Sequence, residues 1–270
     1  RVFETIKKIK PKKLYVVIDG PRSNVINDIK NIRKVNEIFS KIDWDCNLSL
    51  ISRKKNLGCK YSVSSAIDWF FKNEENGIIL EDDCLPHTDF FKYCEELLKL
   101  YKNNQKIFMI TGDNFQDGIK RGEFSYYFSK LTHVWGWATW RRAWKHYDVE
   151  MSYWPKLKAS KKYKKIFNNF WAKRHFTSIF EQVYRGSIDT WDYQWTACIW
   201  HNDALSVTPI TNLVKNIGFG PDATHTKIHT KRSKNQSVKK ILPLTHPKNI
   251  YREYLADEHI FINILGLYFF

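Results

Sequence analysis

With 270 residues and 43% hydrophobic content, the chain is long enough for one large domain or two small ones with a full core. Its 44 Lys and Arg against 28 Asp and Glu leave a net charge of +16, which favours anionic partners: nucleotides, nucleic acid or an anionic membrane face. A lysine-rich solvated surface accounts for much of that charge. Five cysteines without a C-x-x-C pair argue against a disulfide framework and a zinc ribbon. No apolar run spans a bilayer, and the basic N-terminus lacks the apolar core of a signal peptide, so a cytoplasmic protein is expected.

In chain order, Val2, Phe3, Ile6 and Ile9 share one face of a helix that Pro11 stops. Residues 14–18 read as a strand ending in the turn Asp19-Gly20-Pro21-Arg22. Ile26, Ile29, Ile32 and Ile38 then follow a helical period. Residues 46–51 form a short strand, Asn56-Leu57-Gly58 a turn, and Tyr61 to Phe71 an amphipathic helix. The apolar run Ile78 to Leu80 reads as a buried strand. A helix from about Asp89 to Tyr101 and a strand at 107–110 follow. Alternating strands and helices predict an α/β fold with a mostly parallel, doubly wound sheet.

The second half changes character. Residues 125–129 are strand-like, and Trp135 to Trp144 are dense in aromatic and cationic groups. Lys161 to Tyr184 read as a basic helical region, and Asp189 opens another helix running to about His201. Residues 216–226 form a turn-rich loop carrying His225. From Lys227 the chain is basic and punctuated by prolines up to an apolar end. No repeat or linker stands out, so residues 1–226 read as one domain and 227–270 as an extension.

The chemistry concentrates at Glu81-Asp82-Asp83, where a hydrophobic strand ends in three consecutive carboxylates. Ligands gather at the carboxyl ends of strands in open α/β sheets. Adjacent acids repel unless a cation compensates them, and hard oxygen ligands suit Mg²⁺ or Mn²⁺ together with a substrate's phosphates. The competing reading is a solvated acidic turn before the next helix. Asp19, at another strand end, is a candidate partner for a nucleoside, or an ordinary Asx turn. Asp189 and Asp192 lie in an aromatic setting where a carboxylate could act as general base on a sugar hydroxyl; either also suits a helix N-cap. His225 is a further candidate metal ligand or diphosphate contact, or an exposed loop histidine.

Taken in order, these blocks resemble a known family. Gly77 to Pro86 with Phe90-Phe91 resembles the metal-motif strand of GT-A-fold, nucleotide-sugar-dependent glycosyltransferases, most like the bacterial E-D-D-type group related to N-acetylglucosaminyltransferase I. Asp19 to Arg22, Asn56 to Cys59, Trp135 to Trp140, Asp189 to Trp195 and Asn216 to Thr226 resemble that group's other blocks. The resemblance implies a Rossmann-like GT-A domain and inverting transfer of a hexosyl or N-acetylhexosaminyl group from a UDP-sugar. It implies an acceptor that is a glycan or lipid-linked, in cell-surface polysaccharide assembly. Asp19, with Gly20, Arg22 and Asn56 in the neighbouring blocks, would hold the nucleotide. Glu81 and Asp82 would face the donor, with Asp82 at the ribose. Asp83 would coordinate Mn²⁺ or Mg²⁺, assisted by His225. Asp192 matches the catalytic carboxylate of a W-D-x-x-W block, and Trp137 would help wall the sugar pocket. The family's first strand, with its F-N-R-P-like loop, would precede Arg1, so the resemblance implies an N-terminally truncated domain.

Two other classes remain open at this level. An inactive glycosyltransferase-like module would bind glycans or partners without turnover. A nucleic-acid-binding protein would use the net positive charge and the aromatics, but the acidic triplet argues against it, and no nucleic acid is expected. The extension also reads two ways. Its cations and apolar end suit peripheral contact with the inner face of a membrane, or the end packs back on the domain or on a second copy of the chain in a homo-oligomer.

Overall fold

The computed structural model describes residues 1–219 and 237–267. The elements expected up to residue 111 form in the expected order, and Cys84–Pro86, Trp137–Trp140, Leu205–Pro209 and Val214–Asn216 are strands that the sequence did not mark. The first elements are α1 (Val2–Ile9), β1 (Lys13–Ile18), α2 (Asp28–Phe39), β2 (Asn47–Ser52), α3 (Gly58–Asn73), β3 (Asn76–Ile79), β4 (Cys84–Pro86), α4 (Thr88–Leu100) and β5 (Ile107–Thr111). Then come β6 (Tyr126–Ser129), β7 (Trp137–Trp140), α5 (Arg141–Trp144), α6 (Trp154–Ala159), α7 (Lys161–Lys165), α8 (Phe170–Tyr184), α9 (Asp192–His201), β8 (Leu205–Pro209), β9 (Val214–Asn216) and α10 (Tyr254–His259). A π-helical turn, Ile260–Ile264, closes the described chain. The basic region at 161–184 is two helices, because Asn169 caps a new start: its side chain accepts from the Ala172 amide at 3.0 Å. No helix among the described residues is long and apolar enough to cross a membrane.

The fold is α/β, but the expectation of a mostly parallel sheet is corrected. The five-stranded sheet runs β3-β7-β5-β8-β6, and only β5 and β8 are parallel in it. β1 and β2 pair in parallel as a separate two-stranded sheet, and β4 pairs antiparallel with β9. Parallel neighbours need a long crossover, usually a helix. No helix lies between β5 and β6 or between β6 and β7, and β6 and β7 each enter the sheet antiparallel to their neighbours.

Successive residues of a strand face opposite sides, and both sides here are covered. Tyr126, Phe128, Ala138, Trp140, Leu205 and Val207 pack with α4 on one side. Trp137 packs on the other with Trp191, Trp195, Trp200 and the buried face of α8. Much of the aromatic content is therefore core. The isoleucine period forms α2, yet α2 buries no residue, and Ile26 and Ile29 stay exposed. It lies beside the two-stranded sheet and α1, where Phe39 meets Phe3 with ring centroids 5.7 Å apart, too small a surface to cover it.

The described part of the extension packs back on the domain. Ile260 and Phe261 are buried in the aromatic core, which takes them away from any bilayer. Asp257, fully buried, accepts from Ser129 Oγ at 2.5 Å, the Lys130 amide at 3.2 Å and Arg252 Nε at 2.6 Å. Burial pushes the Asp257 carboxyl up despite Arg252. Such a pair adds little net stability, but removing one partner strands the other. Asp257→Ala is expected to cost about 3–5 kcal/mol, read from denaturant melts. A loss within about 0.5 kcal/mol, the range of ordinary surface substitutions, would mean that the extension is not integral to the fold.

Candidate functional site

Three strand ends and one helix start converge. At the end of β1, Asp19 Oδ1 accepts the Gly20 amide at 2.9 Å and the Leu57 amide at 3.0 Å. Asn56 Nδ2 donates to the Gly20 carbonyl at 2.9 Å. A Cβ on Gly20 would lie 2.2 Å from the Lys55 carbonyl carbon, so the residue must be glycine for the two loops to close. These bonds tie the end of β1 to the start of α3. Arg22 forks onto Asp28, with Nε and Nη2 each 2.8 Å from a carboxylate oxygen, and holds the Asp28 carboxyl down at about 2. Its guanidinium is engaged there rather than pointed at the acidic triplet.

Asp189 reaches across the fold. Its oxygens accept the amides of Cys59 at 3.1 Å and Lys60 at 2.9 Å. It is a helix cap, but of α3 rather than of the helix that follows it. Asp192 is the first residue of α9, and Thr190 Oγ1 donates to its Oδ1. Cys59 lies among these acids. Burial first, then Glu81, Asp192 and Asp189, push its thiol up to about 12.

The triplet follows β3 in a turn closed by the Cys84 amide on the Glu81 carbonyl at 3.1 Å. β4 and β9 then bring residues 216–219 against it. The Ile217 amide donates to the Asp83 carbonyl at 2.8 Å. A Cβ on Gly218 would lie 2.1 Å from Asp83 Oδ2, so glycine leaves the carboxylate its place. Glu81 rises from the ordinary 4.5 to about 8, through desolvation, then Asp83, Asp192 and Asp82. Asp82 is raised as well, by desolvation and by Asp83. All four influences on Glu81 disfavour its charge, and none of the described residues acts on it as a compensating cation.

That donor set suits a hard divalent cation that takes one or two carboxylates and completes its shell with phosphate oxygens and water. Among the described residues no group of three His, Cys, Asp or Glu side chains makes a metal centre by itself. His225 lies outside the described residues.

The aromatic wall is corrected. Trp137 is fully buried, 5.6 Å from Trp191 and 5.8 Å from Trp195 between ring centroids, so its ring cannot touch a ligand. Trp135, half-buried, is the aromatic nearer the site: its amide donates to Asp113 at 2.9 Å and its ring meets Phe219 at 5.5 Å.

Asp192 also lines a cavity of about 70 Å³ with Thr132, His133, His175, Phe176 and Thr196. Sequence reading missed this set. His175 sits in a helix that reads as basic, and His133 in a loop, so nothing local marks their convergence.

The metal-free protein should show the Glu81 shift in its stability. The folded carboxyl keeps its proton up to about 8, whereas an unfolded one releases it near 4.5. The folded state therefore binds more protons in that window, and stability should fall as pH rises through it. Glu81→Gln is expected to flatten this fall in thermal melts with chelator. Parallel pH profiles for the two proteins would refute it. No protein-family model matches this chain, and a search of curated proteins finds no match.

Proposed function

We propose that the chain is a metal-dependent glycosyltransferase that moves a sugar from a nucleoside diphosphate, a UDP-sugar, to a hydroxyl of a glycan or lipid-linked acceptor, with inversion. The observation that carries this reading is the cluster of carboxylates in the turn after β3, held by residues 217–218 and within electrostatic reach of Asp192. Asp83 would hold Mn²⁺ or Mg²⁺, with Asp82 beside the ribose. The bound metal would supply charge compensation for the departing diphosphate. Asp192 takes the acceptor's proton as its oxygen attacks the anomeric carbon. The bond from that carbon to the diphosphate oxygen breaks, and the electron pair leaves with the nucleoside diphosphate. Asp189 is committed to the α3 amides, so the base role falls to Asp192.

Calorimetric titration of UDP-sugars with and without Mn²⁺ tests the reading. Binding that requires Mn²⁺ is expected. Absence of binding for every nucleoside-diphosphate sugar, with Mn²⁺ present, would overturn it.

A further inference from the structure

Between Met151 and Phe180 the sequence holds eight Lys and Arg and no Asp or Glu. The fold turns this block into one face. On α7, Tyr163 is buried and its hydroxyl meets Thr177 Oγ1 of α8 at 2.9 Å, while Lys161, Lys162, Lys164 and Lys165 stay exposed. On α8, Ala172, Phe176, Phe180 and Val183 point inward at helical spacing. Phe170, 62% exposed, Trp171, 36% exposed, and Arg174 are thereby turned to solvent. The Arg174 guanidinium lies 5.8 Å over the Trp171 ring. Asn169 caps this turn, and its amide donates to the Leu267 carbonyl at 2.9 Å, so the aromatics are presented by an anchored end. Two cations are answered: Lys158 pairs with Glu181 at 2.7 Å, and Lys162 Nζ donates to the His201 carbonyl at 2.8 Å.

We propose that this face, α7 with the first turn of α8, docks on an anionic lipid bilayer. Exposed Phe and Trp beside Lys and Arg match the interfacial layer, where rings enter the headgroup boundary and cations meet anionic lipids. Single-stranded nucleic acid fits less well. Base stacking needs an open ring platform, and Phe170 and Trp171 meet edge-on at 77° with centroids 5.5 Å apart. The contact is carried by α7 and α8, not by the end of the extension, whose Ile260 and Phe261 are core. It does not depend on the glycosyltransferase reading.

The test is sedimentation of the full chain with phosphatidylcholine vesicles, with and without a third of phosphatidylserine, at low and high salt. Binding to the phosphatidylserine vesicles alone, weakened by salt, is expected. Phe170→Ala with Trp171→Ala, and separately Lys164→Glu with Lys165→Glu, should each lower the vesicle partition coefficient by about tenfold or more. All four side chains are exposed, and far-ultraviolet circular dichroism would verify that the variants fold. The proposal is overturned if the parent stays in the supernatant at low salt, or if folded variants bind vesicles as the parent does. It is equally overturned if these residues govern binding to a single-stranded oligonucleotide while vesicles are ignored.

Discussion

Asp192→Asn is expected to retain Mn²⁺-dependent donor binding and to lower transfer by roughly two to four orders of magnitude. The side chain starts α9, and Thr190 Oγ1 holds one oxygen in place. In the proposed reaction it would have to reach the donor. Its charge reaches Glu81, and it lines the small cavity with His133 and His175. An amide keeps the shape and removes the proton acceptor, so the loss should appear in turnover and not in donor affinity. Asp189 supplies the contrast. Its carboxylate caps α3, so Asp189→Ala should cost about 0.5–2 kcal/mol of stability, as cap removals do. Single-turnover rates at saturating donor, with thermal melts of both variants, separate the two. Undiminished transfer by Asp192→Asn, or lost transfer by a folded Asp189→Ala, would reverse the roles assigned to these carboxylates.

The parts of this site that were legible in the sequence are those where one local signal suffices. Ile78 to Leu80 followed by three acids announces a strand end carrying charge, and the turn at Asp19-Gly20 announces another. Apolar runs do not encode strand direction, so β6 reads like the strands before it although it runs antiparallel to β8, and the aromatic block at 135–144 hides the strand β7. Composition cannot say which tryptophan of an aromatic block faces a pocket. Helices cover both faces of β7, and Trp137 is buried where a one-sided sheet would have shown one of its faces. Asp189 looked like the start of its own helix because its true partners, the amides of Cys59 and Lys60, are about 130 residues away. The pairing of β4 with β9 is equally non-local, and it is what sets Gly218 against Asp83.

Asp83→Ala is expected to abolish Mn²⁺-dependent donor binding and leave the fold intact. The turn is held by backbone bonds, the Cys84 amide on Glu81 and the Ile217 amide on Asp83, which an alanine keeps. Among the described residues the side chain accepts a weak bond from Cys84 Sγ at 3.3 Å. Losing a partner that merely orients a ligand lowers metal affinity about 10–100-fold, so losing the ligand itself should exceed about 100-fold. Gly218→Ala approaches the same carboxylate sterically. The new Cβ would lie 2.1 Å from Asp83 Oδ2 and 2.9 Å from Asp83 Cγ, and the side chain, not the backbone, is the part that can swing away. Gly218→Ala should therefore weaken Mn²⁺ and donor together while Asp83 is still present. Once Asp83 is alanine, adding Gly218→Ala should change affinity little, because both changes act on one carboxylate. Titration of Mn²⁺ and UDP-sugar into the two single variants and the double variant measures this coupling. Independent, additive losses would show that Gly218 acts elsewhere. Undiminished Mn²⁺ affinity in Asp83→Ala would remove Asp83 from the metal site.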